Sequence, residues 1–436
     1  MRADPWRPRR WRAGKTEPMT SPPRARVAAM PFILITVLID MVSIGLIIPV
    51  LPLLVGSFTV SPSDTAFWFG VVTFAFAIAN FFGSPILGAL SDRYGRRPVL
   101  LIGFCGLALN FFFTALSTAL WMLIAVRLVG GAMQANAAVA NAYVADITPP
   151  DERARRFGLL GAMFGLGFIL GPVLGGLLGA IDLHLPFYVA GTLALVNCLY
   201  GWFVLPESLP AERRREIDWK RANPFSALKG LAELKGVGSL VAVLALSGLV
   251  QFTLHITWVL YTTYKFGWGP LENGWSLFAV GLMSALVQGV LLGRLLKRFS
   301  AQRLAVTGLV SSSLAYVCWG LASEGWMMYV VIACNVLGFG VTACLQSIVS
   351  NAADPRTQGQ TMGAVSSLNS LMAVVAPVIG APLLGLVSHL PHGDWRIGAP
   401  YYFCAALQAT AMLLALRHFR AQRGLRGATV ATESPV

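Results

Sequence analysis

Long apolar runs alternate with short polar joints along almost the whole chain. A helix needs about 20 residues to cross a hydrocarbon core about 30 Å thick, and twelve runs reach roughly that length. This pattern predicts an all-α polytopic membrane protein with twelve transmembrane helices in two six-helix bundles. The predicted spans are 31–54, 67–90, 98–117, 120–145, 157–180, 186–206, 237–262, 272–296, 303–322, 326–349, 360–388 and 399–417.

Composition and charge placement agree with this pattern. The chain is 56% hydrophobic and 12% charged, whereas soluble chains carry about 25% charged residues. If span 1 starts in the cytoplasm, all basic residues face the cytoplasm except Lys265 and Arg396 in outer loops and Arg127 within a span. The positive-inside rule therefore predicts a multi-pass protein of the inner (cytoplasmic) membrane with both termini cytoplasmic. The net charge of +14 then reflects topology, and we expect no nucleic-acid partner.

The sequences of the two bundles resemble each other, as expected for an internal repeat. An offset of 205 residues superimposes 88–103 on 293–308, and Gly171-Pro172 on Ala376-Pro377. Internal repeats of this kind build secondary transporters with a site between the halves. The predicted organisation is a disordered basic tail (1–30), an N-terminal bundle (31–206), a cytoplasmic linker (207–236), a C-terminal bundle (237–418) and a cytoplasmic tail (419–436).

Several function classes are disfavoured by missing motifs. The sequence contains no G-x-x-x-x-G-K-[ST] loop, no catalytic triad pattern and no metal-ligand spacing, and its six cysteines all lie in apolar runs. We therefore expect neither an enzyme nor an ATP-driven pump, no catalytic or metal-binding residues, and no cofactor.

Two ionisable residues inside the spans are candidates for proton coupling. Asp40 lies about nine residues, or about 14 Å, into span 1. Placing an ionised carboxylate at this depth costs free energy, so such a residue is expected to have a function. The alternative is a neutral core acid whose hydrogen bonds are satisfied. Arg127, Gln134 and Asn141 are spaced by seven on span 4 and share one face. Arg127 is expected to hold Asp40 ionised when the two are close, or else to belong to a structural polar seam.

Span 5 and the second half supply further candidates. Glycines four apart on span 5, with Pro172, predict close packing and a bend at the interface of the halves.

Gln251, His255 and Trp258 on span 7 suggest an apolar cavity with a few polar groups, suited to an amphiphilic organic substrate. We expect His255 to be either a second proton-binding site or a buried histidine whose ring nitrogens are hydrogen-bonded. Other polar groups predicted in this cavity are Gln134, Asn141, Gln288, Asn335 and Asn369.

Four motifs resemble the major facilitator superfamily. GALSDRYGRR (88–97) is similar to its loop between spans 2 and 3, RLVGG (127–131) to its span-4 arginine motif, GLGFILGPVLGG (165–176) to its antiporter motif, and DMVSIGLIIPVLP (40–52) to the span-1 signature of drug/proton antiporters. ALWML (119–123) and SEGW (323–326) resemble the tetracycline-exporter branch. The resemblance implies a drug:proton antiporter that works as a monomer by alternating access, with a small molecule, protons and the lipid bilayer as partners.

The resemblance also implies roles for two groups of residues. Asp92 is expected to contact the cytoplasmic start of span 11 in one conformational state, with a partner network through Arg93, Arg97 and Asp146. The alternative is that the basic loop only fixes the orientation of the chain in the membrane. Lys297 stands at the repeat position of Asp92, so this latch is expected on one side only. The latch set is Gly88, Asp92, Arg93, Gly95, Arg96, Arg97 and Asp146, and the antiporter motif set is Gly165, Gly167, Gly171, Pro172, Gly175 and Gly176.

Three positions depart from the tetracycline-exporter pattern. Asn110, which we place in the substrate cavity, stands where those exporters carry an aspartate; Ser284 replaces a histidine and Ser312 a second aspartate. The departures put tetracycline in doubt as the substrate while leaving the transport mode intact. The alternatives are a proton-independent facilitator, a symporter of a small metabolite and, least favoured, a non-transporting receptor.

Overall fold

The computed structural model describes residues 23–134, 136–149, 152–217, 223–225, 238–352 and 358–432. Its described part is helical, as predicted. The N-terminal half contains span 1 (Pro23–Ile47, then Leu51–Gly56), span 2 (Pro62–Tyr94), span 3 (Arg96–Ala115), span 4 (Leu120–Met133 and Asn136–Ile147), span 5 (Arg153–Ile181) and span 6 (Leu185–Val204).

The C-terminal half repeats this plan. It contains span 7 (Gly238–Phe266), span 8 (Pro270–Leu286, a π-helical turn Val287–Leu291, and Leu292–Leu296), span 9 (Ala301–Leu321), span 10 (Gly325–Cys334 and Val341–Ala352), span 11 (Gln358–Val387) and span 12 (Ala399–Thr432). Within the described residues, eleven helices are long and apolar enough to cross a membrane, and span 10, bent by 59°, makes up to twelve. The predicted fold class is confirmed.

Some boundaries differ from those predicted. Span 1 begins at Pro23, inside the tail predicted as disordered, and span 12 continues to Thr432, past its predicted end at 417. A helix can continue past the apolar stretch because its backbone hydrogen bonds are made within the helix itself. The predicted disorder of residues 1–22 and much of the predicted linker lie outside the described residues.

The two halves meet mainly through span 5 with span 8 and span 2 with span 11. We call the end that carries Arg93, Arg96 and Arg97 the arginine-rich end, and the other the opposite end. The contacts lie toward the opposite end: a Cβ on Gly176 would stand 3.0 Å from Gly274 Cα, and the Tyr264 hydroxyl donates to Pro62 O at 2.8 Å.

At the arginine-rich end the same helices lie apart. A Cβ added to Gly158, Gly161 or Gly165 on span 5, or to Gly289 or Gly293 on span 8, would meet nothing within 4 Å in the described part of the chain. Spans 5 and 8 are therefore packed at one end and separated at the other. The halves enclose a cleft that opens toward the arginine-rich end.

An aromatic core holds the opposite end of the C-terminal half together. Trp258, Tyr261, Trp319 and Tyr401 are buried in mutual ring contacts, with Trp258 and Trp319 edge to face at 5.3 Å. Lys265, predicted in an outer loop, ends span 7 instead and is 2% exposed. Its Nζ donates to Gly320 O at 2.5 Å, because an ammonium group can satisfy the free carbonyls at a helix C-terminus.

Candidate functional site

Asp40 lies in a closed contact between spans 1 and 4. It is 2% exposed, and its Oδ1 accepts a hydrogen bond from Asn136 Nδ2 at 3.0 Å. Asn136 is itself 5% exposed and is the first residue of the second segment of span 4. Span 3 closes the site from the other side, since a Cβ on Gly103 would collide with the Asn136 side chain. The buried acid thus has one amide donor, a residue that the sequence did not single out.

Span 4 is broken next to this site. Its first segment ends at Met133, and the Asn80 side chain on span 2 donates to Gln134 O at 2.5 Å. A break inside a membrane is tolerated only where the freed backbone groups find partners, and Asn80 supplies one. The helix that carries the predicted stripe of Arg127, Gln134 and Asn141 is thus interrupted at its middle residue, and the shared polar face stays a prediction.

Arg127 and Asp40 are both buried, but the structure records no contact between them. Arg127 is 4% exposed, and its guanidinium lies 5.8 Å from the centre of the Phe76 ring on span 2. Its Nε and Nη2 atoms have no hydrogen-bond partner among the described residues, and the same holds for the side-chain amide of Asn110, which packs against Gly130. The expected pairing of Arg127 with Asp40 is not present in this conformation.

The arginine-rich end carries an ion cluster centred on Arg96. Its Nη1 lies 2.6 Å from Asp92 Oδ1, and its Nε lies 3.1 Å from Asp146 Oδ2. The partner network of Asp92 was expected to run through Arg93, Arg97 and Asp146. Instead, Arg93 lies over the Tyr94 ring and Arg97 donates to Trp202 O, because Arg96 is the arginine whose side chain turns inward toward span 4.

The expected partner of Asp92, the cytoplasmic start of span 11, borders residues 353–357, which lie outside the described part of the chain. Among the described residues, Asp92 pairs with Arg96 in its own half, and a Cβ on Gly88 would meet nothing within 4 Å. This arrangement agrees with a cleft that is open at the arginine-rich end, where a latch between the halves would be released. The latch itself stays a prediction.

Glu207, which sequence reasoning missed, holds the turn between spans 2 and 3. Its Oε1 accepts from the backbone N–H of Arg96 at 2.8 Å, and its Oε2 accepts from that of Arg97 at 3.2 Å. A carboxylate at the N-terminus of a helix satisfies free N–H groups and complements the helix dipole. The turn needs Gly95, whose φ of 108° places it in the left-handed region. The acid is 111 residues from Arg96 in sequence, so spacing could not reveal the contact.

The span-5 glycines divide between two contacts. A Cβ on Gly171 would stand 2.5 Å from Gly45 Cα on span 1, and Gly167 and Gly175 likewise face the span-1 backbone. Gly176 instead faces Gly274 across the interface of the halves, and Gly165 faces open space. The expectation that the whole motif lies at that interface is wrong here, because residues four apart stay on one helix face and that face meets span 1.

The predicted cavity residues fall into two groups. Gln251 and His255 on span 7, Gln288 on span 8 and Asn141 on span 4 are exposed, as expected for residues that line a cleft. Asn369 is half-buried, with Oδ1 3.2 Å from a Cβ placed on Gly248. Three others are buried: Asn110 packs against Gly130, Trp258 donates to Ser276 Oγ at 2.9 Å in the aromatic core, and Asn335 accepts from Ser311 at the break in span 10. These three contribute to packing rather than to a cavity surface.

Comparisons with known proteins agree with this architecture. The sequence profile of the Major Facilitator Superfamily matches residues 33–377. The chain is 38% identical over 376 residues to the tetracycline resistance protein, class C, of Escherichia coli, covering 86% of this chain and 94% of that protein. It is 35% identical over 370 residues to the class D protein of Salmonella ordonez, covering 85% and 93%.

A solved structure has the same fold. The crystal structure of the human organic anion transporter MFSD10 (TETRAN) aligns with a TM-score of 0.67 at 24% identity, covering 91% of this chain and all of that one. A similar fold, a profile match over most of the chain and relatives above 30% identity point the same way. This multi-pass membrane protein, a transporter and not an enzyme, belongs to the Major Facilitator Superfamily.

Proposed function

We propose that this transporter is a proton-coupled exporter, a drug:proton antiporter that moves a small amphiphilic organic compound out of the cell by alternating access. The observation that carries the proposal is Asp40, a carboxylate buried in the middle of span 1 with Asn136 as its hydrogen-bond donor. Support also comes from the relatives named tetracycline resistance proteins, which the chain matches over most of its length.

Asp40 is suited to exchange a proton. It lies ten residues after Met30, where the apolar part of span 1 begins, which is a depth of about 15 Å. An ionised carboxylate at that depth is costly, and taking up a proton removes the charge. A change in its surroundings as the halves move would therefore be linked to binding or release of one proton.

Alternating access requires the halves to rock about their contact. The positive-inside rule places the arginine-rich end in the cytoplasm, so the structure corresponds to an inward-open state in which substrate enters the cleft from the cytoplasm. Gly176 and Gly274 give spans 5 and 8 a close backbone contact, since small residues let two helix backbones approach each other, and this contact is the pivot that we propose for the movement. Closing the arginine-rich end would then open the other end.

The exposed side chains of the cleft favour an amphiphilic substrate. Gln251, His255, Gln288 and Asn141 supply a few neutral or weakly basic polar groups in an otherwise apolar wall. Asn110, Ser284 and Ser312 leave the region without the ionisable groups that a cationic metal–drug complex would need. Tetracycline itself is therefore one candidate among amphiphilic compounds.

The test uses purified protein in liposomes with an imposed pH difference. Tetracycline and ethidium serve as probes, and the uncoupler CCCP as the control. Antiport predicts that at least one probe accumulates against its gradient and that CCCP abolishes the accumulation. If a probe crosses only down its gradient and ignores the pH difference, the protein is a facilitator; if the probe moves together with protons, it is a symporter.

A further inference from the structure

The C-terminal half has an apolar groove at its arginine-rich end, away from the cleft. Its volume is about 560 Å³, within the range of ligand pockets. Spans 9 and 12 form most of its wall, and they pack on each other and on spans 7 and 10 rather than on the N-terminal half. The apolar lining is Leu295, Phe299, Leu304, Val306, Leu337, Leu416 and Phe419.

The polar rim of the groove is basic. Arg303 and Arg420, with Gln302 and Thr307, complete the lining. Both arginines are exposed, and neither has an acidic partner in the part of the chain that the structure describes. The groove therefore joins an apolar floor to two guanidinium groups that carry uncompensated charge.

The arginines lie at the depth of the lipid headgroups. Arg303 is in the first turn of span 9, and Arg420 is the next-to-last residue of the apolar stretch Trp395–Ala421 of span 12. Residues at the ends of apolar stretches sit at the membrane–water boundary. An acyl chain extending from that level into the bilayer would run along the apolar floor.

In the N-terminal half, acidic residues of the protein balance a basic residue at the arginine-rich end. There, Arg96 is paired with Asp92 and Asp146 from the protein itself. The repeat offset of 205 residues puts Lys297 at the position of Asp92, so the second half has a further cation where the first has an anion. An external anion at this end would find basic side chains that no acid of the described residues balances.

We propose that this groove binds an anionic phospholipid, with an acyl chain against the apolar lining and the phosphate between Arg303 and Arg420. Guanidinium groups pair with phosphate oxygens through two parallel hydrogen bonds, and basic pockets between spans on the cytoplasmic side select anionic headgroups. The proposal concerns a lipid site, so it does not depend on which solute the transporter exports.

The first test compares matched charge removals. The full-length wild type, the double variant Arg303→Gln/Arg420→Gln and the control Arg294→Gln/Arg298→Gln are purified in detergent and titrated with dioleoyl phosphatidylglycerol or dioleoyl phosphatidylcholine. Retained lipid is counted by native mass spectrometry. The control removes the same charge from the same end of the same half, outside the groove. We expect wild type and control to retain phosphatidylglycerol, and the groove variant to bind it about 30-fold more weakly.

Two further variants separate charge from shape. Arg303→Lys/Arg420→Lys keeps the charge and should recover most of the binding, whereas Val306→Trp should fill the groove and reduce binding with both arginines present. Size-exclusion profiles confirm that each variant is folded. The proposal is overturned if phosphatidylcholine binds equally well, if the control loses as much affinity as the groove variant, or if Val306→Trp leaves binding unchanged.

Discussion

Asn136 Nδ2 and Asp40 Oδ1 lie 3.0 Å apart, and this hydrogen bond joins span 1 to the second segment of span 4. The same segment, Asn136–Ile147, carries Asp146 ten residues later, where it pairs with Arg96 at the arginine-rich end. One short helix therefore carries both the amide donor of the buried carboxylate and an acid of the ion cluster.

The first prediction concerns energy coupling through Asp40. Asp40→Asn keeps the size and hydrogen-bonding capacity of the side chain but cannot exchange a proton. We expect uphill transport in everted membrane vesicles to fall to background, while exchange of a probe down its gradient continues. Fluorescence quenching of a pH-sensitive dye and uptake of ethidium measure the two activities in one preparation.

The matched control is Asp64→Asn on span 2. Asp64 is exposed in the first turn of that helix, where it interacts with Ser61. The same chemical change should therefore leave uphill transport within about twofold of wild type, as expected for an exposed site with small energetic effects. Undiminished uphill transport by Asp40→Asn would remove this residue from the coupling role.

The second prediction distinguishes the arginines of the loop between spans 2 and 3. Arg96→Gln leaves Asp92 and Asp146 without their shared cation, whereas Arg93 has no ion pair among the described residues. We expect Arg96→Gln to destabilise the fold by about 1–2 kcal/mol and to slow transport more than tenfold. Thermal unfolding in detergent and vesicle uptake measure the two effects.

Arg93→Gln is the control for this variant, because it removes the same charge three residues earlier. It should keep wild-type stability. Equal losses in the two variants would mean that the basic loop acts through its total charge, as a topology signal does, and not through the Arg96 cluster.

A third prediction concerns the helix cap provided by Glu207. Glu207→Ala removes the acceptor of two backbone N–H groups in the first turn of span 3, and losing a cap costs about 1 kcal/mol. We expect a lower thermal midpoint with little change in the substrate concentration that half-saturates transport. Glu212→Ala, on an exposed residue farther along the linker, should leave the midpoint unchanged; equal shifts in both variants would contradict a specific cap.

The sequence predicts the fold well because bilayer thickness fixes the length of each apolar run, as in Pro62–Tyr94 and Thr361–Val387. It also identifies Asp40, since a carboxylate in the middle of an apolar run needs no tertiary information to be conspicuous. Its failures have one physical origin. Asn136, Asn80 and Glu207 act across helix contacts that are 96, 54 and 111 residues apart in sequence, and neutral or surface residues carry no signal of such partners.

Helix breaks were missed for a related reason. Hydropathy does not distinguish a straight span 4 from one interrupted after Met133, where the Asn80 side chain donates a hydrogen bond to Gln134 O. The spacing of Arg127, Gln134 and Asn141 predicts one face only if the helix is continuous. Periodicity therefore identifies helices more reliably than it identifies which side chains meet.

The last prediction tests the close packing of spans 1 and 5. A methyl group on Gly171 would stand 2.5 Å from Gly45 Cα and 2.9 Å from Val42 O, and both are backbone atoms that cannot move aside alone. Gly171→Ala should therefore separate the two helices beside Asp40 and cost about 1–3 kcal/mol, with a loss of uphill transport. Thermal unfolding in detergent and vesicle uptake measure these effects.

Gly165→Ala is the matched control, with the same substitution in the same helix. A Cβ there would meet nothing within 4 Å in the described structure, and alanine favours the helical state by about 1 kcal/mol over glycine. We expect its thermal midpoint to equal or exceed that of wild type. If Gly171→Ala were as stable as Gly165→Ala, the span-5 glycines would not be needed for contact with span 1, and their role would have to lie in the closed state of the arginine-rich end.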